Sequence, residues 1–183
     1  MKTLKRLLVF LILILILCFI LFQVLDLKTM IMKKAYPQTY SEYVNNYAEE
    51  YDVDPLLIYA MIKAESNFNV NAKSHNGAKG LMQLMENTAV EVSKEKEIDL
   101  YDPEINIKLG TYYFSQLLDK YDYQIGIALA AYNAGMGNVN TWLERGTIRA
   151  DGSDLENIPY KETNMYVRKI LNSYEMYKEL YEK

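Results

Sequence analysis

One carboxyl group stands on a face that is otherwise hydrocarbon. Glu65 lies seven, four and three residues beyond Ile58, Met61 and Ile62, so in a helix it shares their stripe. Burial disfavours the charged form of a carboxyl and raises its pKa. A carboxyl still protonated near neutral pH is what general acid catalysis needs. Spacing alone leaves a plainer alternative open and somewhat ahead: a helix-end glutamate that turns to solvent or pairs with a lysine.

The residues that follow are the second chemical feature. Glu65-Ser66-x-Phe68 leads to Ala72-x-Ser74 and then to Gly77-Ala78-x-Gly80-Leu81-Met82-Gln83-Leu84-Met85. Glycines at 77 and 80 suit a tight loop where backbone comes close to something else. Gln83 offers a donor and an acceptor directly after it. Further on, Ala130-Ala131-Tyr132-Asn133-Ala134-Gly135 puts a Tyr-Asn pair at a helix end closed by glycine.

Helices must position these groups. Asp54-Pro55 reads as a helix start, Asp at the N-cap and Pro at the first helical position, and Asp102-Pro103 repeats it before a helix running towards Lys120. Asp122 is expected to cap a helix through Ala131, and Asn138 to Glu144 to form a short one closed by Gly146. Residues 149–157, rich in Asp, Gly and Ser, read as a loop, and a last helix is expected from Pro159 onward. No stretch alternates long enough for a sheet. The expectation is an all-α domain over residues 38–183.

Ahead of it, Leu7 to Phe22 is an unbroken apolar run, extended past Gln23 by Val24 and Leu25. Its roughly 19 residues span about 28 Å as a helix, close to a bilayer's hydrocarbon thickness. No small-residue cleavage site follows, which favours a retained transmembrane signal anchor over residues 1–25, with 26–37 as a juxtamembrane linker. Lys2, Lys5 and Arg6 precede the run. The positive-inside rule then puts the N-terminus in the cytoplasm and the domain outside, in a single pass. Lys33 and Lys34 read as an interfacial flank. Cys18, the only cysteine, sits in the apolar run after Leu17, which is too large for a usual lipid-attachment site. The domain therefore has no disulfide and relies on its core. Net charge is −4 with signs interspersed, so nothing resembles a nucleic-acid stripe.

From about Tyr40 to Tyr174 the chain resembles the soluble lytic transglycosylase catalytic domain, of the lysozyme-like superfamily. The resemblance rests on the Glu65-Ser66, Gly80-Leu81-Met82-Gln83 and Ala130-to-Gly135 blocks, with Asp102-Pro103-x-x-Asn106-Ile107-x-x-Gly110 and Glu162-Thr163-x-x-Tyr166, all in order. It implies Glu65 as catalytic acid and later base, with Ser74, Gln83 and Met85 lining sugar subsites. Tyr132 would hydrogen-bond near the Glu65 carboxyl, Asn133 would shape the cleft, and Glu162 would orient neighbours. Met85 and Tyr166 fit ordinary packing as readily. Where the family often has proline, this chain has Glu86, a further carboxylate near the motif and a weak second candidate for a nearby charge.

The resemblance also implies an enzyme that cleaves peptidoglycan glycan strands without water, with no cofactor. His75, the only histidine, has no Cys or His partner for a metal. Two other readings remain: a goose-type lysozyme that lets water attack, and a catalytically silent wall-binding scaffold of cell-wall or secretion machinery.

Overall fold

The computed structural model describes residues 2–95 and 97–182; the side chains of residues 2–5, 7–9 and 12, and hence of Lys2 and Lys5, are not described, and residues 1 and 183 at the ends of the expected segments lie outside it. The chain divides into two compact units, one running through Pro37 and the other from Gln38 to Glu182. The first is a single helix, α1 (Lys2–Ala35), long and apolar enough to cross a membrane. The stretch expected as a linker is helical up to Ala35, because no glycine or proline interrupts it before Pro37.

The second unit is built from α2 (Ser41–Glu50), α3 (Pro55–Glu65), α4 (Glu86–Ser93), α5 (Pro103–Lys120), α6 (Ile125–Ala134), α7 (Met136–Glu144) and α8 (Lys161–Tyr181), with a 3₁₀ turn at Leu155–Asn157. Among the described residues there is no strand, only isolated bridges joining Lys73 to Lys79 and Lys79 to Leu84. The caps at Asp54 and Asp102 form as expected: their carboxylates accept from Leu56 N (2.7 Å) and Ile105 N (2.9 Å).

Three helix starts differ from expectation, α8 beginning at Lys161 rather than Pro159. Asp122 caps nothing, because it and Tyr123 both adopt left-handed φ in a tight turn, and α6 begins at Ile125. Helix α7 begins at Met136 rather than Asn138, since Gly135, at φ 83°, lets the chain turn directly from α6 into α7.

The core explains the position of the acid. Every residue from Leu56 to Ile62 is buried, so α3 is enclosed all round rather than striped. In α6, Gly126 to Ala131 are buried likewise. Helix α3 packs chiefly against α8, and α6 packs against α5, α7 and α8. Glu65 thus ends, in a half-buried last turn, a helix whose middle is wholly buried.

Helix α8 holds both ends of α3. Tyr174 OH donates to Asp54, the N-cap of α3, and Tyr166 reaches its last residue, Glu65. Tyr59 of α3 also stacks on Tyr177 of α8, ring centroids 5.7 Å apart. The Tyr59 hydroxyl is buried with no hydrogen-bond partner among the described residues, an arrangement that costs free energy. Tyr59→Phe is therefore expected to raise stability by about 1 kcal/mol, read as a Tm increase of about 3 °C.

Candidate active site

After Glu65 the chain leaves the helix through left-handed residues Asn67 and Phe68. Ser66 ties this exit down: its Oγ donates to Ile62 O (3.1 Å) and Leu81 O (2.8 Å), joining the end of α3 to the glycine-containing loop. That loop folds back on itself through Ser74 N to Ala78 O, Gly80 N to Ala72 O, and a reciprocal pair between Lys79 and Leu84. Gln83 sits at φ 50° and donates its amide to Ala72 O (3.1 Å) and Gly80 O (2.9 Å), bracing the loop from within.

A buried asparagine fixes the loop to α5. Asn106 accepts from Met82 N (2.8 Å) and donates to Lys79 O (3.0 Å) and Leu100 O (2.9 Å). Met82 O accepts from Tyr132 OH at 2.9 Å. Both backbone polar groups of Met82 are thereby held from opposite sides, by α5 and by α6.

These elements enclose a cleft of about 570 Å³. Glu65, Ser74, Gln83, Met85, Tyr132, Asn133 and Glu162, all singled out in the sequence, line it together. So do Thr163, quoted in the Glu162 block without a role, and Asn76, Tyr160 and Lys161, which the sequence did not single out. For Tyr160 and Lys161 the only available signal was proximity to the Glu162 motif.

The acid's hydrogen bond comes from a residue that sequence reading left to packing. Tyr166 OH donates to Glu65 Oε1 at 2.6 Å, whereas the Tyr132 hydroxyl turns to Met82 O. No described residue donates to Glu65 Oε2. Burial pushes the Glu65 carboxyl up to about 7, against the opposing pull of the Tyr166 hydrogen bond and the Lys169 charge. Burial, followed by the nearness of Glu65, pushes the Tyr132 and Tyr166 hydroxyls well above the usual phenol range, so both stay protonated. Near neutral pH a protonated Glu65 can accept from Tyr166 on Oε1 and carry its proton on Oε2. That is the geometry of a poised acid.

The remaining cleft residues hold position. Ser74 Oγ accepts from Ala78 N (3.0 Å), and Asn133 Oδ1 accepts from Thr163 Oγ1 (2.8 Å), linking α6 to the start of α8. Met85 is 42% exposed and lies in the cleft, not the core. Tyr160 is exposed at the rim, its ring 5.0 Å edge-on from Trp142. Glu86 lies outside the cleft lining and is paired with Lys79, which holds its carboxyl below the usual range. It is a satisfied surface ion pair and no second acid.

Tyr166→Phe removes the donor to Oε1 and leaves the ring in place. A 10- to 100-fold fall in kcat/KM is expected, with the fold intact by circular dichroism.

The family model for the transglycosylase SLT domain matches residues 42–153. The soluble lytic murein transglycosylase of Salmonella typhimurium is 34% identical over 154 residues, which cover 80% of this chain and 24% of that protein. Membrane-bound lytic murein transglycosylase C of Edwardsiella ictaluri is 40% identical over 115 residues, 55% of this chain and 32% of that one. Among solved structures, an inactive Glu→Gln mutant of the lytic transglycosylase Slt from Pseudomonas aeruginosa aligns with a TM-score of 0.73 at 32% identity, covering 81% of this chain and 25% of the other. The 70 kDa soluble lytic transglycosylase in complex with bulgecin A aligns at 0.74 with 32% identity, again over 81% of this chain and 25% of that one. The chain spans about a quarter of the length of the soluble relatives it matches. With more than half of its residues inside the matched model, and a lysozyme-like helical fold around Glu65, the chain belongs to the transglycosylase SLT domain family.

Proposed function

We propose that this protein is a peptidoglycan lytic transglycosylase that cleaves the β-1,4 bond between N-acetylmuramic acid and N-acetylglucosamine. The observation that carries the reading is the Glu65 carboxyl, which lines the cleft, is raised by burial to about 7 and is held on one oxygen by Tyr166. In the proposed reaction protonated Glu65 gives its proton to the glycosidic oxygen. The substrate's 2-acetamido group stabilises the oxocarbenium-like centre. Ionised Glu65 then takes the C6 hydroxyl proton of the same muramic sugar, whose oxygen closes onto C1. The product is a 1,6-anhydro end, and no water is consumed. Names of relatives support the substrate class, and the inactive Glu→Gln mutant of the Pseudomonas aeruginosa enzyme accords with an activity resting on a glutamate. Ser74, Gln83, Met85, Tyr132, Asn133 and Glu162 are proposed to hold the glycan.

Mass spectrometry of digested peptidoglycan tests the reaction. Products lighter by one water per cleavage are expected. Full hydrolysis products would instead identify a lysozyme-type hydrolase. We further propose that residues 1–25 anchor the protein in the membrane by a single pass, residues 26–37 connect, and residues 38–183 act outside the cytoplasm on nearby glycan. The apolar α1 and the membrane-bound relatives support this arrangement.

A further inference from the structure

The last turn of α3 is gripped from α8 by two side chains one helical turn apart. Tyr166 donates to Glu65 Oε1 at 2.6 Å. Lys169 Nζ donates to the carbonyl oxygen of Ala64, the residue before the acid, at 2.7 Å. That carbonyl is among those left unpaired at a helix C-terminus, where a cation also meets the negative end of the helix dipole. Lys169 is exposed and forms no ion pair with a described carboxylate. Its ammonium is therefore committed to the end of α3.

We propose that Lys169 is a positioning residue for the reaction: tethered to the Ala64 carbonyl, it fixes the turn that carries Glu65 and keeps a positive charge beside that carboxyl. The inference rests on Glu65 being the acid.

Several titratable groups surround Glu65. They are Tyr166 and Lys169 from α8, Tyr132 from α6, and Lys161 and Glu162 in the cleft lining, while Lys63 on α3 feels Lys169. The two tyrosines stay neutral. Burial and then the Lys169 charge draw the Lys63 ammonium downward. Lys169 favours the ionised form of Glu65 and so works against burial. Without it the acid would hold its proton to higher pH, but on a looser turn. Tether and charge are thus separable by substitution.

The test is the pH dependence of kcat/KM on purified glycan strands for the full chain and for Lys169→Arg, Lys169→Gln and Lys169→Met, with Glu65→Gln alongside. In the unsubstituted protein activity should fall as pH rises through about 7. Methionine removes tether and charge. It should move that fall upward by roughly half a pH unit, about a threefold gain relative to the unsubstituted profile on the alkaline side, while lowering kcat. Glutamine keeps a donor for Ala64 O, so it should move the profile as methionine does but retain Tm. Arginine should restore both. An alkaline fall at the unsubstituted pH in both the Met and Gln variants would overturn the proposal. Glu65→Gln separates the two failures: if it is inactive while the profiles stay put, only the role of Lys169 is wrong, and if it is active, the assignment of the acid itself is wrong.

Discussion

Glu65→Gln is expected to abolish glycan cleavage, by about a thousandfold or more, while making the protein more stable. Loss of rate follows from losing the proton donor, since general acid–base catalysis contributes about 10²- to 10⁴-fold. Gain in stability follows from the same burial. The carboxyl rises from 4.5 to about 7 on folding, so below pH 4.5 it is protonated in both states and costs nothing extra. Between pH 4.5 and 7 the unfolded chain ionises while the folded one retains its proton, and stability is lost as pH rises through that window. Above pH 7 the deficit reaches about 3 kcal/mol. Glutamine does not titrate. Its Tm should match the parent at pH 4 and exceed it by about 8 °C at pH 8. Thermal unfolding of both proteins across pH 4 to 8 checks this, and a constant difference would show that the carboxyl is not desolvated.

Gly80→Ala should cost more than 3 kcal/mol and eliminate activity with it. Gly80 has φ 77°, and a Cβ there would lie 2.2 Å from both Asn106 Nδ2 and the Leu100 carbonyl oxygen. The left-handed backbone adds roughly 1–2 kcal/mol. Damage would spread to the cleft, because Gly80 O accepts from the Gln83 amide and Asn106 holds Met82 N. Gly77, at φ 92° with open space around its added carbon, should lose only the conformational part, about 1 kcal/mol. The obvious rescue should fail. Asn106→Ala removes one of the two obstructing atoms, but the other belongs to backbone, and Met82 N would lose its acceptor. Denaturant unfolding of the single and double variants reads these differences.

Much of this site was legible because its signals are local. The caps at Asp54 and Asp102 need only residues two and three positions on, so they could be read from types and order. Glu65 stood out because carboxyls rarely end an apolar helix. Its roles and those of its neighbours were another matter. Tyr166 looked like one more aromatic at helical spacing, and only the pairing of α3 with α8 aims its hydroxyl at the acid. Nothing in the sequence marked Lys169, for the same reason. Asp122 misled because a cap residue must keep extended backbone, and the turn there forces it left-handed. Glu86 misled by proximity in sequence: the loop turns it to Lys79 and away from the cleft.

The clamp between α3 and α8 also orders events in time. Tyr166, Lys169 and Tyr174 meet their partners across 101, 105 and 120 residues of chain. Such distant closures come late in folding. A chain emerging N-terminus first presents Glu65 long before the helix that secures it. Until α8 docks, that carboxyl is a solvated, ionised glutamate with nothing to donate. Under the proposed function the acid is therefore disarmed during synthesis until almost the whole domain is in place.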